Sequence, residues 1–436
     1  MVKLYKLLKN SYSKLFKSKF TRNIILITGG AVAAQTLNMI FSPIITRVYL
    51  PEEYGMLAIL SSILMTLSYP SFMYEMAIPI EKKDNKAINV LWLSVIVLLL
   101  FTTTLTMLLV IKGEEILNIF DASQLNEYIY FIPIGVCLTG FLQILTQWVY
   151  RRKNFKLISK TRISQNLLGN LTKILAGISG FGVTGLLIGE IVKKTASIIP
   201  LTRDMFKKEK KLIKKIKKKD VVWSMKRYKA FPIYQTPSTF LSSFKNQLPV
   251  FSLAFYGSQV VGLYGLANTI VKLPMTLVGH SVRNVFYAEA ASIGRSNGAR
   301  LKSLSDKLFK KMVIIGLIPT ILLIIFGPQL FSIVFGSHWY GSGVYSRYLA
   351  LAIYADFIFS PVSRVYEVLE RQKEKMIIDL VGLILVASAF SIARFLSSDP
   401  SFAILLYSIA IFIFYFITFI VARRYMTKEI NDQNSL

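Results

Sequence analysis

The chain has 436 residues, 53% hydrophobic and only 17% charged, yet its 52 Lys and Arg against 23 Asp and Glu give a formal net charge of +29. The apolar residues lie in long blocks and the charges crowd into the gaps between them, with a mean hydropathy of +0.51. This pattern excludes a soluble enzyme, a nucleic-acid-binding protein and a disordered chain, and leaves an all-α polytopic membrane protein.

In chain order, a basic tail over residues 1–22 precedes the first apolar block. That block starts near Ile24, is too long for a signal-peptide core and has no small-residue cleavage site, so it reads as an uncleaved span. Twelve stretches are long enough to cross a bilayer: 23–46, 54–78, 87–111, 126–150, 157–178, 182–202, 229–255, 258–286, 308–327, 343–368, 376–396 and 401–422. Their continuous apolar character argues against a β-barrel, whose strands alternate. Residues 203–228 form a strongly basic connector, and 423–436 a short tail.

Lys and Arg collect on the cytoplasmic side of membrane proteins. With the N-terminus inside, the inner segments hold forty of them, and the outer loops hold only Arg47, Lys112 and Arg394. This asymmetry predicts both termini in the cytoplasm and an even number of spans. The lysines between Lys207 and Lys219 then read as a cytoplasmic retention signal that also touches anionic headgroups. No aromatic platform accompanies them, so nucleic acid is not an expected partner.

The connector divides the chain into an N-lobe over 23–202 and a C-lobe over 229–422, six spans each. Tyr54-Gly55-Met56-Leu57-Ala58 in the first has a counterpart in Tyr264-Gly265-Leu266-Ala267 in the second. Arg151-Arg152-Lys153 likewise corresponds to Arg371-Gln372-Lys373. A parallel duplication accounts for both, with substrate expected between two rocking halves. Cys137 is the single cysteine, and His280 and His338 are the only histidines, so neither a disulfide nor a multi-ligand metal site is expected.

Four motifs carry a family resemblance: Gln35, Pro43, Arg47 and Tyr49-Leu50-Pro51 with Glu53-Tyr54-Gly55; Tyr74-Glu75-Met76-Ala77; Gly182, Gly185, Gly189 and Glu190; and Phe335-Gly336 with Trp339, Gly343 and Tyr345. In order and spacing they resemble the Wzx-type polysaccharide and O-antigen flippases of the multidrug/oligosaccharidyl-lipid/polysaccharide (MOP) exporter superfamily. The resemblance implies a MATE-like fold of twelve helices in two lobes, and no enzymatic activity. It further implies flipping of an undecaprenyl-pyrophosphate-linked oligosaccharide from the inner to the outer leaflet of the bacterial cytoplasmic membrane. Other polysaccharide assembly proteins are the partners it suggests.

Charges embedded in spans are costly, so each is a candidate site. Lys173, Lys245, Lys272, Arg347 and Arg364 lie well inside their spans and are the candidates for holding the pyrophosphate; pairing with carboxylates is the alternative for each. Arg162 and Arg283, nearer helix ends, are expected to snorkel. Of the adjacent Lys193 and Lys194, one is expected to face Glu190. Glu75 and Asp356 are candidates for carrying a coupling H⁺ or Na⁺, or for pairing with a base; no other cofactor is expected.

Three rivals stand beside the flippase reading. A drug/cation antiporter of the same fold would favour embedded acids. A peptidoglycan-precursor flippase usually needs two more spans. A membrane glycan polymerase or acyltransferase would need a large outer loop or a His–carboxylate pair, and neither is visible here.

Overall fold

A computed structural model describes residues 19–119, 122–294, 297–396 and 399–434. The tail lysines before Lys19, Arg295, and the side chains of Pro274 and His280 lie outside the described residues. Nearly all of what is described is helical, and each of the twelve expected stretches contains a helix. In order these are α1 (Lys19–Val48), α2 (Pro51–Thr66), α3 (Asp84–Ile119), α4 (Phe131–Arg151), α5 (Phe155–Ile178), α6 (Gly182–Ile213), α7 (Lys218–Arg227), α8 (Thr236–Ala254), α9 (Ser258–Ile293), α10 (Gly298–Phe335), α11 (Tyr340–Phe359), α12 (Val365–Val368), α13 (Gln372–Leu396) and α14 (Pro400–Asn434).

Among the described residues, six segments are both long and apolar enough to cross a membrane: Asp84–Ile119, Phe131–Arg151, Gly298–Phe335, Ser337–Val368, Lys373–Leu396 and Pro400–Ile430. The apolar windows of the first and third of these are only 22% buried. In water such exposed apolar surface would drive aggregation; in lipid it is the favoured face. The protein is therefore a polytopic membrane protein. Helix α2, at 16 residues, is too short to meet the same criterion, while α1, α5, α6, α8 and α9 are less apolar and carry embedded polar side chains.

The chain separates into two compact units, one comprising Met1–Tyr49 and Ile59–Gln247, the other Leu50–Ala58 and Leu248–Leu436. Their boundary thus falls within α8, not in the basic connector. The connector itself is mostly helix. Helix α6 runs on to Ile213, α7 follows, and Leu212, Ile213 and Ile216 pack on the first unit's core of Ile78, Ile88, Leu98, Ile144, Trp148 and Met205. Polar contacts reinforce this docking. Arg152 donates to both oxygens of Glu209 (2.6 and 2.8 Å), Tyr228 donates to Glu81 (2.7 Å), and Lys86 sits 3.7 Å from the Trp223 ring centre.

The second expected span is also interrupted. Helix α2 stops at Thr66, because Pro70 cannot donate to a helical carbonyl and disfavours helix at the residue before it. Phe72 and Met73 then take left-handed backbone (φ 50° and 58°), and Tyr74–Ala77 forms a 3₁₀ turn.

In the second unit, Pro51 occupies the first helical position of α2, and the Glu53 carboxylate accepts the Leu50 amide at 2.8 Å, half of a capping box. The same helix start crosses α9 backbone to backbone. A Cβ on Gly55 would overlap the Ser258 carbonyl, and one on Gly262 would overlap that of Pro51. Tyr54 meets the fully buried Trp339 edge to face, with ring centres 5.5 Å apart. Two motifs separated by nearly 300 residues in sequence therefore form one packing unit.

Candidate functional site

The densest buried charge in the first unit lies where α5 crosses α6. Lys173 is buried and its ammonium is 3.1 Å from Glu190 Oε2; Lys193 Nζ is 3.8 Å from the same oxygen. Lys194 is half-buried beside them. Two ammonium groups thus share one carboxylate, with a third positive charge close by.

Glycines make the cluster possible. A Cβ on Gly169 of α5 would stand 2.6 Å from Lys193 Cβ, and one on Gly189 of α6 would overlap Lys173 Cγ. Each lysine stem lies in the space left by the other helix's glycine, so the helices approach closely with long side chains at the crossing. Tyr49 fixes the register. Its hydroxyl donates to the Lys173 carbonyl at 2.6 Å, and a Cβ on Gly177 or Gly185 would come within 2.7 Å of the Tyr49 side chain. Nearby, Asn170 donates to Asn38 of α1 at 2.9 Å. Polar residues at 162, 166, 170 and 173 share one stripe of α5, as 190, 193 and 197 do on α6, at the i, i+3 and i+4 spacing of a helical face.

The candidates named from sequence divide between the two units. Lys173 and Lys245 belong to the first, with Glu75; Lys272, Arg347 and Arg364 belong to the second, with Asp356. Lys173 is both embedded and paired, the alternative held open for it. Arg364 is ion-paired with Glu367, both being more than a third exposed. Arg347 donates to the Ile325 carbonyl at 3.1 Å, while its Nε is buried without a partner. Lys272 is half-buried and has no ion pair among the described residues. Lys245 is half-buried on α8.

Glu75 is fully buried. The Ser71 hydroxyl donates to one of its oxygens, and the other has no partner. Among the described residues no base lies within ion-pair distance of it. Asp356 faces Tyr415 of α14. Sequence reasoning paired Glu190 with its helical neighbour and missed Lys173 as its closer partner; the readable signal was the glycine at 189, opposite Gly169.

Solved structures with this arrangement of helices are membrane transporters. An inward-facing multidrug-resistance MATE family transporter of the MOP superfamily matches with a TM-score of 0.69 at 13% identity, over 91% of this chain and 96% of that one. The lipid II flippase MurJ, in an inward closed conformation, matches at 0.64 and 15%, over 91% and 87%. A mutant form of the Vibrio cholerae MATE transporter VcmN matches at 0.55 and 11%, over 96% and 98%. The fold is that of the MOP superfamily transporters. The sequence matches the family described as polysaccharide biosynthesis protein over residues 44–343, and the chain belongs to that family. No curated protein sequence matches it.

Proposed function

We propose that the protein is a flippase that carries an undecaprenyl-pyrophosphate-linked oligosaccharide repeat unit from the inner to the outer leaflet of the bacterial cytoplasmic membrane, by alternating access through twelve spans with both termini in the cytoplasm. Family membership supports a role in polysaccharide synthesis, and the MOP fold supports transport. The observation that carries the reading is the α5–α6 cluster, where Lys173 and Lys193 share the single carboxylate of Glu190 and Lys194 adds a third positive charge close by. Uncompensated positive charge in a poorly solvated site favours an anion, and a pyrophosphate supplies one. Lys193 and Lys194 therefore hold the headgroup, with Lys173 locked to Glu190 as their support. Lys245, Lys272 and Arg347 are the further candidates for contact with the anion. Arg364 contributes least, being neutralised by Glu367.

Glu75, buried and without a basic partner, is the proposed carrier of a coupling H⁺ or Na⁺, with Asp356 as the second candidate. Transport in vesicles that responds to neither gradient would remove this role.

The main test is where substrate accumulates. Cells lacking a flippase retain single lipid-linked repeat units on the inner leaflet, whereas cells lacking a polymerase display single units outside. Replacing the chromosomal copy with a Lys193→Gln, Lys194→Gln variant should give the first pattern. Normal surface glycan in that strain would overturn the assignment of the cluster.

A further inference from the structure

A cavity of about 240 Å³ lies between α4, α5 and α6. Over an apolar floor it presents Gln143, Thr146 and Gln147 from α4, Arg162 and Gln165 from α5, and Ser197 from α6. No acidic side chain lines it. Arg162 is its only cation. The guanidinium touches the Tyr150 hydroxyl at 3.4 Å and has no carboxylate partner among the described residues. Gln143 Oε1 is buried with no hydrogen-bond partner, which a native site tolerates when something else supplies the donor. The Ser197 hydroxyl, 2.7 Å from Gln165 Oε1 and 3.1 Å from the Thr161 carbonyl, is already engaged and holds Gln165 in place.

Amides and hydroxyls together offer both donors and acceptors. That mixture suits a polyhydroxylated ring, whose every hydroxyl needs both. The flat guanidinium adds a fork that fits a carboxylate through two parallel hydrogen bonds. The volume is below the roughly 300–1,000 Å³ of sites for drug-sized ligands, a size that suits one ring.

Position joins this cavity to the lysine cluster. Ser197 follows Lys193 by four residues, one turn and about 6 Å along the same face of α6. A diphosphate held at Lys193 and Lys194 would leave the sugar esterified to it within reach of the cavity. The cavity also lies toward the basic end of the unit, within three turns of Arg151 and Arg152, where a substrate made in the cytoplasm would load.

Resting on the flippase reading above, we propose that this cavity is a subsite for an acidic monosaccharide ring of the lipid-linked glycan, with Arg162 holding the ring carboxylate and Gln143, Gln147 and Gln165 reading its hydroxyls.

The test uses purified full-length protein in detergent, with binding of sodium glucuronate, glucose and inorganic pyrophosphate followed by saturation-transfer NMR. Glucuronate should bind the wild type more tightly than glucose does. Arg162→Gln, and Thr146→Phe, which fills the cavity while leaving the charge, should each weaken glucuronate by about tenfold or more, the scale of a lost charge-assisted contact. Arg162→Lys should weaken it less than Arg162→Gln. Thermal unfolding identifies any variant that fails to fold, and the remaining one then decides. Pyrophosphate should bind Arg162→Gln as it binds the wild type and should be lost from the Lys193→Gln, Lys194→Gln protein. No glucuronate binding to the wild type would overturn the proposal, as would equal binding to Arg162→Gln or preference for glucose. Displacement of glucuronate by pyrophosphate from the Lys193→Gln, Lys194→Gln protein would also overturn it, by making the cavity the diphosphate site. Glucuronate binding that needs Arg162, with no pyrophosphate binding anywhere, would uphold the cavity and remove the phosphate site instead.

Discussion

Lys173 and Gly189 occupy complementary positions at the α5–α6 crossing: the lysine stem lies where a Cβ on residue 189 would be. This contact lets a long cationic side chain sit between two closely packed helices with its ammonium on Glu190. Gly189→Ala should therefore displace Lys173 and loosen the ion pair. A loss of about 1–3 kcal/mol is expected for overpacking, read as a lower unfolding temperature in detergent. Gly180, whose surroundings are open, should tolerate the added atom in space but not in backbone, since its φ is +79°.

Glu190→Gln should be more damaging than Lys173→Met. Removing the carboxylate leaves the ammonium groups of Lys173 and Lys193 close together with nothing between them, whereas removing Lys173 leaves the carboxylate paired with Lys193. Breaking a buried pair typically costs about 3–5 kcal/mol, while replacing both partners by apolar groups is near neutral. The double variant Lys173→Met, Glu190→Leu should consequently be more stable than Glu190→Gln alone. A double-mutant cycle on unfolding measures the coupling, and an additive result would show that the two residues do not act as a pair.

Lys193→Gln with Lys194→Gln should leave thermal stability close to that of the wild type while abolishing surface glycan. Both lysines are half-buried, and only Lys193 lies within ion-pair reach of Glu190, at 3.8 Å. A large drop in unfolding temperature would assign them a packing role.

Trp339→Ala should cost about 3–5 kcal/mol, the usual price of emptying a large aromatic site in a core. Trp339 is fully buried against Tyr54, so Tyr54→Leu should recover more stability than Trp339→Ala. Unfolding of the two variants by heat or denaturant in the same detergent compares them.

The Tyr228–Glu81 hydrogen bond should be visible in the pH dependence of stability. Burial and the Glu81 hydrogen bond push the Tyr228 phenol up to about 12 from 10.0. Its contribution is fully present below 10 and is lost as pH rises towards 12. For Glu81, burial works upward, but hydrogen bonds from Tyr228 and the amides of Lys83 and Lys82, with the charge of Lys86, hold it below 4.5. Its contribution is present above 4.5 and is lost as pH falls through the lowered value. Tyr228→Phe should flatten the alkaline limb of an unfolding-temperature profile measured from about pH 3 to about pH 12 and reduce its acid dependence. Superimposable profiles would mean that the bond adds nothing.

The amino-acid sequence by itself determined the membrane class, the approximate position of a helix in each of the twelve apolar stretches and the fold family. Those properties are set locally: apolar run length, the lysines in the gaps, Pro51 and Glu53 at a helix start. It could also bring Lys193 and Glu190 together, because they lie one turn apart on one helix. Tertiary structure alone decided that Lys173 reaches Glu190, that among the described residues no base meets Glu75, and that the basic connector is docked helix instead of loop. These depend on which faces meet across elements distant in sequence, and on glycines whose missing side chains set the spacing. A charge in a span has the same appearance in sequence whether it is neutralised or left to bind an anion, since that outcome rests on a neighbour that only packing supplies.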